Sequence, residues 1–387
     1  MYKIAVVGRG LIGSAAVRHL AEDAEGIVCI GPDEPNDRAA HGGVFASHYD
    51  EGRMTRHVDP VPEWSITAGQ SISRYCDIEN RSGINFYSPV GYLGIGHPGS
   101  TYNARCAETG EANGAAVERL DAAAVRAMYP FLKVSDDADG LVETGGAGHI
   151  SPRRMVKAQT LLAESAGANC IRQPARAIRP TPYGVEIELW DGSVVSAEKA
   201  LVTTGAFTAA CGLSPVDLDL HVFGRTTVLV RIDRYAGKVL SRMPTMIDAE
   251  IGAYILPPIL YPDGHSYLKI GVGSVSDPRF TALGELQAWF KSSGAERDRA
   301  AFTARLKELF PVLKQCPVWH TDTCAVTYTN SMLPIIDFVL DSRIAVAVGG
   351  CGKGAKGADE WGRIAAGLIS GKPWTSAVSR DKLRARK

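Results

Sequence analysis

Apolar positions along this 387-residue chain follow two kinds of pattern. Short apolar runs without alternation predict strands buried on both faces of a parallel sheet, and they occur at residues 3–7, 26–30, 199–206 and 343–348. Residues 184–190 instead alternate between apolar and charged, which predicts a half-exposed strand leading into an Asp191-Gly192 hairpin turn. Helical patterns are predicted at residues 14–22, 62–82, 106–128, 153–166, 283–309 and 358–369. Ser151 is the predicted N-cap of the fourth of these helices.

The first buried strand runs directly into a glycine motif, G-x-G-x-x-G, formed by Gly8, Gly10 and Gly13. Leu11 and Ile12 lie inside the motif, and a helix follows it. In a strand–turn–helix unit the first glycine permits a tight turn and the second lets a diphosphate approach the backbone. The third lets strand and helix pack closely, and the helix N-terminus faces the phosphates. The motif in this context predicts a dinucleotide-binding site.

The second buried strand lacks the acidic residue that usually binds the ribose in such a site. Gly31 stands at that strand's end, and Asp33 and Glu34 follow. Asp33 lies twenty residues after Gly13 (33 − 13), which fits the usual spacing, so we predict that it binds the ribose. The alternative is that both acids are solvated residues of a turn.

The order of the elements predicts an α/β (α+β) chain. The late buried strands return to the sheet that the first strand begins, so the Rossmann-like nucleotide-binding domain is discontinuous in sequence. We assign it residues 1–83, 148–217 and 331–387. The strand-rich segments 84–147 and 218–330 form an inserted mixed-sheet substrate domain in this prediction.

Composition narrows the choice of partners. Forty-two basic residues balance forty-two acidic ones, so no overall charge favours nucleic acid or an anionic membrane. The eight cysteines are scattered without a paired motif, which favours a reducing compartment. The first strand follows Met1 almost at once, and no apolar stretch is long enough to cross a bilayer. We therefore expect a cytoplasmic protein, a monomer or small homo-oligomer, with no bound metal.

The loop at residues 46–57 concentrates charged and aromatic polar side chains. It holds two arginines, two histidines and two acids: Arg53, Arg56, His48, His57, Asp50 and Glu51. An arginine fork bonds both oxygens of a carboxylate at once, so the loop is a candidate site for an acid. Surface ion pairs within the loop are the alternative.

Five features in order along nearly the whole chain resemble the sarcosine oxidase and N-methyltryptophan oxidase group of flavoprotein amine oxidases, within the D-amino-acid-oxidase-like superfamily. The glycine motif is the first, and the loop starting at Ser47 is similar to the family's S-H-H-G-D-T-R-x-x-R. Lys269 in Leu-Lys-Ile-Gly resembles a family lysine beside the flavin. Cys324 precedes Asp337 by thirteen residues, the spacing of the cysteine that carries the flavin covalently. Lys356 resembles the family's second carboxylate-binding residue.

The resemblance implies FAD as cofactor, held covalently through Cys324 by a thioether to the flavin 8-methyl carbon. An ordinary buried cysteine is the alternative for Cys324. The implied cofactor-binding residues are Gly8, Gly10, Leu11, Ile12, Gly13, Asp33, Ser47, His48, Arg53, Ala177, Gly205, Cys324, Gly350, Gly352, Gly354 and Lys356.

The implied reaction is oxidation of a secondary amino acid, N-methylated or cyclic, to its imine, with O₂ reduced to H₂O₂. Arg56 and Lys356 would hold the substrate carboxylate, with a structural ion pair as the alternative for Arg56. Tyr254 and Tyr49 would line the substrate pocket, although core packing is an alternative for Tyr254. Lys269 and Arg53 are the implied catalytic residues; the lysine would stabilise the charge that develops on oxygen. Its alternative is a solvent-facing lysine on an edge strand.

Departures from the family lie around the substrate and leave the amine unidentified. Tyr49 and Lys353 replace histidines, Gly273 stands where another histidine is expected, and the segment after Cys324 is longer than the family's C-x-Y-T. Three rival functions remain open: a flavin dehydrogenase with a non-oxygen acceptor, an NAD-dependent dehydrogenase, and an inactive binding protein.

Overall fold

The computed structural model describes residues 1–97, 100–273, 277–317 and 319–385. Its strands, in chain order, are β1 (Tyr2–Val7), β2 (Ile27–Ile30), β3 (Arg53–Thr55), β4 (Tyr87–Ser88), β5 (Tyr92–Gly96), β6 (Val117–Asp121), β7 (Asp139–Glu143), β8 (Gly148–Ile150), β9 (Asn169–Ile171), β10 (Ala175–Thr181), β11 (Gly184–Leu189), β12 (Val194–Val202), β13 (His221–Arg231), β14 (Thr245–Asp248), β15 (Ala253–Leu260), β16 (Ser266–Gly271), β17 (Arg279–Phe280), β18 (Trp319–Tyr328), β19 (Ile335–Leu340) and β20 (Ile344–Val348).

The helices, in chain order, are α1 (Leu11–Ala21), α2 (Pro62–Ser82), α3 (Thr101–Ala112), α4 (Ala122–Met128), α5 (Pro152–Ser165), α6 (Phe207–Ala210), α7 (Arg234–Val239), α8 (Leu283–Lys291), α9 (Glu296–Leu309) and α10 (Ala358–Ile369). Short 3₁₀ turns lie at Pro311–Gln315 and Arg380–Leu383. Within the described residues, every helix is too short or too polar to cross a membrane.

The first sheet has eight strands and carries the glycine motif. Its order is β10-β11-β12-β1-β2-β9, with β20 also pairing with β12 and β19 with β20. β1 lies parallel to both of its neighbours, and its end residue Val7 pairs with Val202 and Ile30. Strands β1, β2 and β20 are buried along nearly their whole length, as their unbroken apolar runs predict. Helices α1 and α10 pack together over this sheet, where Gly362 brings α10 against the backbone of Ala16.

The second sheet has nine strands and is mixed. Its order is β17-β13-β16-β15-β14-β5-β7-β6, with β18 also pairing with β13. Among the described strands of this second sheet, β14 and β5 pair in parallel and all other pairs are antiparallel. A separate apolar core covers this sheet. Strands β3, β8 and β4 form a small third sheet beside it.

The fold class predicted from the sequence is confirmed: a Rossmann-like sheet is built from distant parts of the chain, and a mixed sheet is inserted between them. Strands of the first sheet fall within residues 1–83, 148–217 and 331–387, and those of the second within 84–147 and 218–330. The domain boundaries themselves stay a prediction.

Two predicted helices are wrong in extent because a glycine with positive φ interrupts each. Residues 106–128 contain α3, then β6, then α4, with Gly114 (φ +77°) ending the first helix. Residues 283–309 contain α8 and α9, separated at Gly294 (φ +75°). The predicted helices at 62–82 and 358–369 are confirmed, and the Ser151 hydroxyl accepts a hydrogen bond from the Arg154 N–H, as expected of an N-cap.

Candidate functional site

An open cleft lies at the carboxyl ends of the central strands of the first sheet, where α/β folds bind nucleotides. It also runs along β18 of the second sheet. Thirteen residues of the sequence prediction line it: Gly8, Gly10, Leu11, Ile12, Ser47, His48, Tyr49, Arg53, Gly205, Cys324, Gly350, Gly352 and Gly354. The sequence therefore placed residues from five separate parts of the chain on one cleft.

The glycine motif forms the floor of the cleft, and its three glycines differ in what surrounds them. Gly8 has φ +110°, and a Cβ there would lie 2.7 Å from the Thr203 carbonyl. A Cβ on Gly13 would lie 1.8 Å from the Gly8 carbonyl oxygen, so that glycine is required by packing alone. A Cβ on Gly10 would meet no protein atom within 4 Å. Of the three glycines, only Gly10 has free space where a Cβ would lie. Close approach of a diphosphate to the backbone needs such free space.

His48, another residue of the cleft lining, also supports a nucleotide-binding site. Its side chain is buried on the cleft, and Nδ1 has no hydrogen-bond partner among the described residues. Burial, reinforced by the charges of Arg9, Arg153 and Arg53, lowers the pKa of His48 to about 3, so the imidazole is neutral at physiological pH. A buried polar atom without a partner costs free energy unless a ligand or water satisfies it. The residues present therefore fit a nucleotide cofactor.

Four predicted cofactor residues, Gly13, Asp33, Ala177 and Lys356, are not among the residues that line the cleft. The Asp33 side chain is 57% exposed and pairs with Arg9 and with Arg172 (Nε to Oδ2, 3.3 Å). Arg9, which the sequence reading missed, lines the cleft instead and donates from Nε to the Gly31 carbonyl at 3.2 Å. The sequence feature that could have indicated Arg9 is its position as a basic residue between two motif glycines. Ala177 lies on β10, and the cleft lining ends two residues earlier at Ala175.

Cys324 lies on the cleft wall in the middle of β18, half-buried. Its carbonyl oxygen accepts a hydrogen bond from Trp289 Nε1 at 2.9 Å, and the next carbonyl, of Ala325, accepts one from the Ser47 hydroxyl at 2.7 Å. These two bonds fix the strand where it borders the cleft. The thiol position agrees with an attachment point, which stays a prediction.

Lys269 is enclosed near the same wall, with only 2% of its surface exposed. Its Nζ donates to the carboxylate of Asp50 and to the Gly52 carbonyl (2.8 Å). The Asp50 carboxylate also contacts the guanidinium of Arg53. Burial and the Arg53 charge lower the pKa of Lys269 well below its ordinary value. The alternative of a solvent-facing lysine is therefore wrong, and Asp50 is a residue that the sequence reading did not assign.

Arg56 and Lys356 lie together, as predicted for a carboxylate site, but they already share a carboxylate of the chain. Lys356 Nζ lies 2.6 Å from Asp59 Oδ2, and Arg56 Nη2 lies 3.9 Å from the same atom. Lys353 Nζ contacts Asp59 Oδ1 at 2.8 Å. Although burial favours a protonated acid, the three cations hold the pKa of Asp59 well below its ordinary value. The sequence reading missed Asp59, whose signal was an acid three residues after Arg56.

Arg56, Asp59, Lys353 and Lys356 are here called the cation cluster; Lys353 is half-buried and the other three are deeply buried. Arg56 is fixed further by its Nε bond to the Val58 carbonyl (2.8 Å) and its Nη2 bond to the Tyr102 hydroxyl (2.8 Å). Asp59 is 0% exposed and Lys356 is 3% exposed. The cluster therefore places three positive charges against one negative charge in a largely dry environment.

The two predicted substrate tyrosines lie in different places. Tyr254 is half-buried beside Lys269, whose Nζ lies 5.8 Å from the ring centroid. Tyr49 lines the cofactor cleft, packs edge-on against His48 and donates from its hydroxyl to the Asp33 carbonyl at 3.3 Å. Tyr49 is thus grouped with the cofactor wall and not with Arg56 and Lys356.

Comparison with known proteins agrees with the cleft. A family model described as FAD dependent oxidoreductase matches residues 3–368. The chain is similar to N-methyl-L-tryptophan oxidase of Escherichia coli K12, at 29% identity over 211 residues, which are 53% of this chain and 54% of that enzyme. The matched segment thus spans about half the length of this relative.

Two solved structures show the same fold along the chain. Fructosamine oxidase (Amadoriase II) from Aspergillus fumigatus has a TM-score of 0.79 at 15% identity, covering 100% of this chain and 89% of that one. Iminodiacetate oxidase from Chelativorans sp. BNC1 has a TM-score of 0.73 at 19% identity, covering 99% of both chains. The family match covers nearly the whole chain and explains the glycine cleft, and the predicted FAD cofactor is confirmed at the level of the family. The chain belongs to the FAD dependent oxidoreductase family.

Proposed function

We propose that this protein oxidises a secondary amino acid, N-methylated or cyclic, to its imine with bound FAD and passes the electrons to O₂, forming H₂O₂. The observation that carries the proposal is the convergence of Arg56 and Lys356, distant in sequence, in one buried cation cluster. Relatives named for N-methyl-L-tryptophan, fructosamine and iminodiacetate support an amine as the substrate.

The charge balance of the cation cluster supports binding of an acid. Arg56, Lys353 and Lys356 carry three positive charges, and Asp59 supplies one negative charge. An excess of positive charge in a buried place is costly without a counter-ion. A substrate carboxylate would supply that counter-charge, and Asp59 holds the three cations together before it arrives.

The substrate carboxylate, held there, would fix the orientation of the rest of the amino acid. When bound, FAD would accept a hydride equivalent from the carbon next to the nitrogen, the nitrogen would lose a proton, and the C–N bond would become the C=N bond of the imine. The cluster's task is positional, because small displacements from a reactive geometry cost large factors in rate. The amine has to be uncharged when it reacts, and the imine product hydrolyses in water.

Lys269 would serve the second half of the reaction. Reduction of O₂ passes through anionic oxygen species, and a fixed cation in a dry site stabilises such charge. Lys269 is enclosed, and its Nζ lies in contact with Asp50 on the loop that also supplies His48 and Arg53 to the cleft. Replacing Lys269 by Met should slow flavin reoxidation by O₂ far more than flavin reduction by substrate.

The experiment is an anaerobic screen of N-methyl and cyclic amino acids against the purified flavoprotein, followed by a peroxide assay in air. The proposal expects bleaching of the flavin by at least one such acid and roughly one peroxide for each substrate consumed. Bleaching without peroxide would replace the oxidase with a flavin dehydrogenase that uses another acceptor. No bleaching by any secondary amino acid would overturn the proposed substrate class.

A further inference from the structure

Lys269 lies in the middle of a sheet, among apolar residues along and across the strands. β16 runs between β13 and β15, with Lys269 opposite Leu229 and Leu256. Its chain neighbours Leu268 and Ile270 are both 0% exposed. A charged amine in such a place releases its proton unless an opposite charge lies against it.

Asp50 provides that charge, and its carboxylate is held from several sides. One oxygen contacts Lys269 Nζ and the guanidinium of Arg53. The other accepts hydrogen bonds from the Tyr261 hydroxyl and the Glu51 N–H, each at 2.8 Å. The carboxylate is therefore fixed between the lysine and the cofactor cleft that Arg53 lines.

The remaining groups that act on Lys269 do not replace this carboxylate. Arg53 opposes the lysine charge, while Cys324 and Asp322 favour it. Asp322 is already paired with Arg38 at 2.6 Å. The other titratable neighbours are Tyr254, Tyr261 and His149, and burial together with Lys269 lowers the pKa of His149 to about 4, which leaves it neutral.

We propose that Asp50 is a positioning residue that keeps Lys269 protonated and directed along the cleft wall, so that the reaction of the reduced flavin with O₂ depends on Asp50. The proposal rests on the role of Lys269 in the proposed function. Without the Asp50 charge, burial and Arg53, which already lower the pKa of Lys269, meet less opposition, and the lysine loses its proton at a lower pH. A cation would then be absent when charge develops on oxygen.

The test is the substitution Asp50→Asn, which keeps the shape and removes the charge. Flavin reduced by light or dithionite is mixed with O₂ from about pH 6 to about pH 9, so no amine substrate is needed. In the wild type we expect the rate to fall with rising pH as Lys269 loses its proton. In Asp50→Asn we expect the same fall at a pH at least about one unit lower, so that the two rates converge at acidic pH and differ up to about tenfold at higher pH, since each unit of lowered pKa changes the protonated fraction up to tenfold.

Two control variants separate this from a structural effect. Lys269→Met should be slow at every pH, because no cation remains to titrate. Glu51→Gln changes the adjacent acid, which pairs with Arg153 and Ser151 and leaves Lys269 alone, so its pH profile should match the wild type. A loss of rate in Asp50→Asn that is equal at all pH values would overturn the proposal.

A second readout needs no turnover. The ¹⁵N resonance of Lys269 Nζ, assigned as the signal missing from Lys269→Met, should titrate at a higher pH in the wild type than in Asp50→Asn. An equal titration point in the two proteins contradicts the role of Asp50. If the ammonium is present but the reduced flavin of the wild type fails to react with O₂, the proposed oxidase function is wrong, whereas the pairing of Asp50 with Lys269 is still supported.

Discussion

Lys356 lies 2.6 Å from the carboxylate of Asp59, although 297 positions separate them in the chain. Asp59 follows the arginine loop, and Lys356 follows the last strand of the Rossmann-like sheet. Their contact joins the first and the last segment of the predicted FAD-binding domain in one buried ion pair. A substrate acid that enters this cluster has to share its cations with Asp59.

Removing Lys356 should weaken substrate binding more than turnover. Lys356→Met takes away a buried cation that would bond the substrate carboxylate, and a hydrogen bond to a charged group contributes about 1.5–3 kcal/mol. We expect KM for the amino acid to rise about tenfold to a hundredfold while kcat changes less. Steady-state kinetics of Lys356→Met and of a control variant, Lys372→Met, provide the check. Lys372 is an exposed surface lysine paired with Asp23. An unchanged KM would remove Lys356 from the binding site.

Affinity for a carboxylate should fall at high pH. Burial, together with Arg56 and Lys353, lowers the pKa of Lys356 to about 8 despite the opposing effect of Asp59. The lysine is charged below that pH and neutral above it, so binding is strong at about pH 7 and weakens toward about pH 10. A carboxylic acid without an amino group isolates this effect, because its own charge is constant over the range. Lys356→Arg should bind it equally at both pH values; a wild-type affinity that does not vary would contradict the prediction.

The glycines of the cleft floor should separate cofactor binding from folding. A methyl group on Gly10 meets no protein atom within 4 Å, so Gly10→Ala should change the free energy of unfolding of the apoprotein by less than about 1 kcal/mol. The same methyl group lies where a diphosphate would approach, and FAD affinity should drop sharply. Gly13→Ala, with a Cβ 1.8 Å from the Gly8 oxygen, should lose stability as well. Denaturant unfolding and FAD titration of both variants measure the contrast. Full FAD affinity in Gly10→Ala would contradict the placement of the phosphates.

The flavin should stay with the protein after denaturation if Cys324 carries it. Acid precipitation of the wild type is expected to give a yellow pellet, and Cys324→Ser a colourless pellet with free flavin in the supernatant. Cys211→Ser is the matched control, because Cys211 lines the same cleft and burial raises its thiol pKa to about 11, which makes it a poor nucleophile. Release of all the colour from the wild type would show that the link is absent.

Local pattern explains why the fold and the cleft could be predicted. The strand before Gly8, the helix after Gly13 and the return strand β20 are each specified by contiguous residues, and parallel strands bring their carboxyl ends to one edge. The breaks at Gly114 and Gly294 were missed because a single glycine is also tolerated inside a helix.

Charge pairing across the fold explains what could not be predicted. The sequence reading assigned no role to Asp59 and named Asp50 only as a possible ion-pair partner within its loop, since the partners Lys356 and Lys269 lie more than two hundred positions away. Asp33 fits the spacing of a ribose-binding acid, but its ion pairs with Arg9 and Arg172 could not be read from that spacing, and its ribose role stays a prediction. Spacing fixes position along the chain, whereas side-chain direction depends on partners that only the folded structure brings near.

The central claim, that the cleft of Gly8, Gly10 and His48 holds a flavin, is tested most directly by the visible absorption spectrum of the purified protein. The account predicts flavin bands in the visible region with about one FAD per chain, either as isolated or after incubation with added FAD. A protein that is colourless and remains so after that incubation would contradict it.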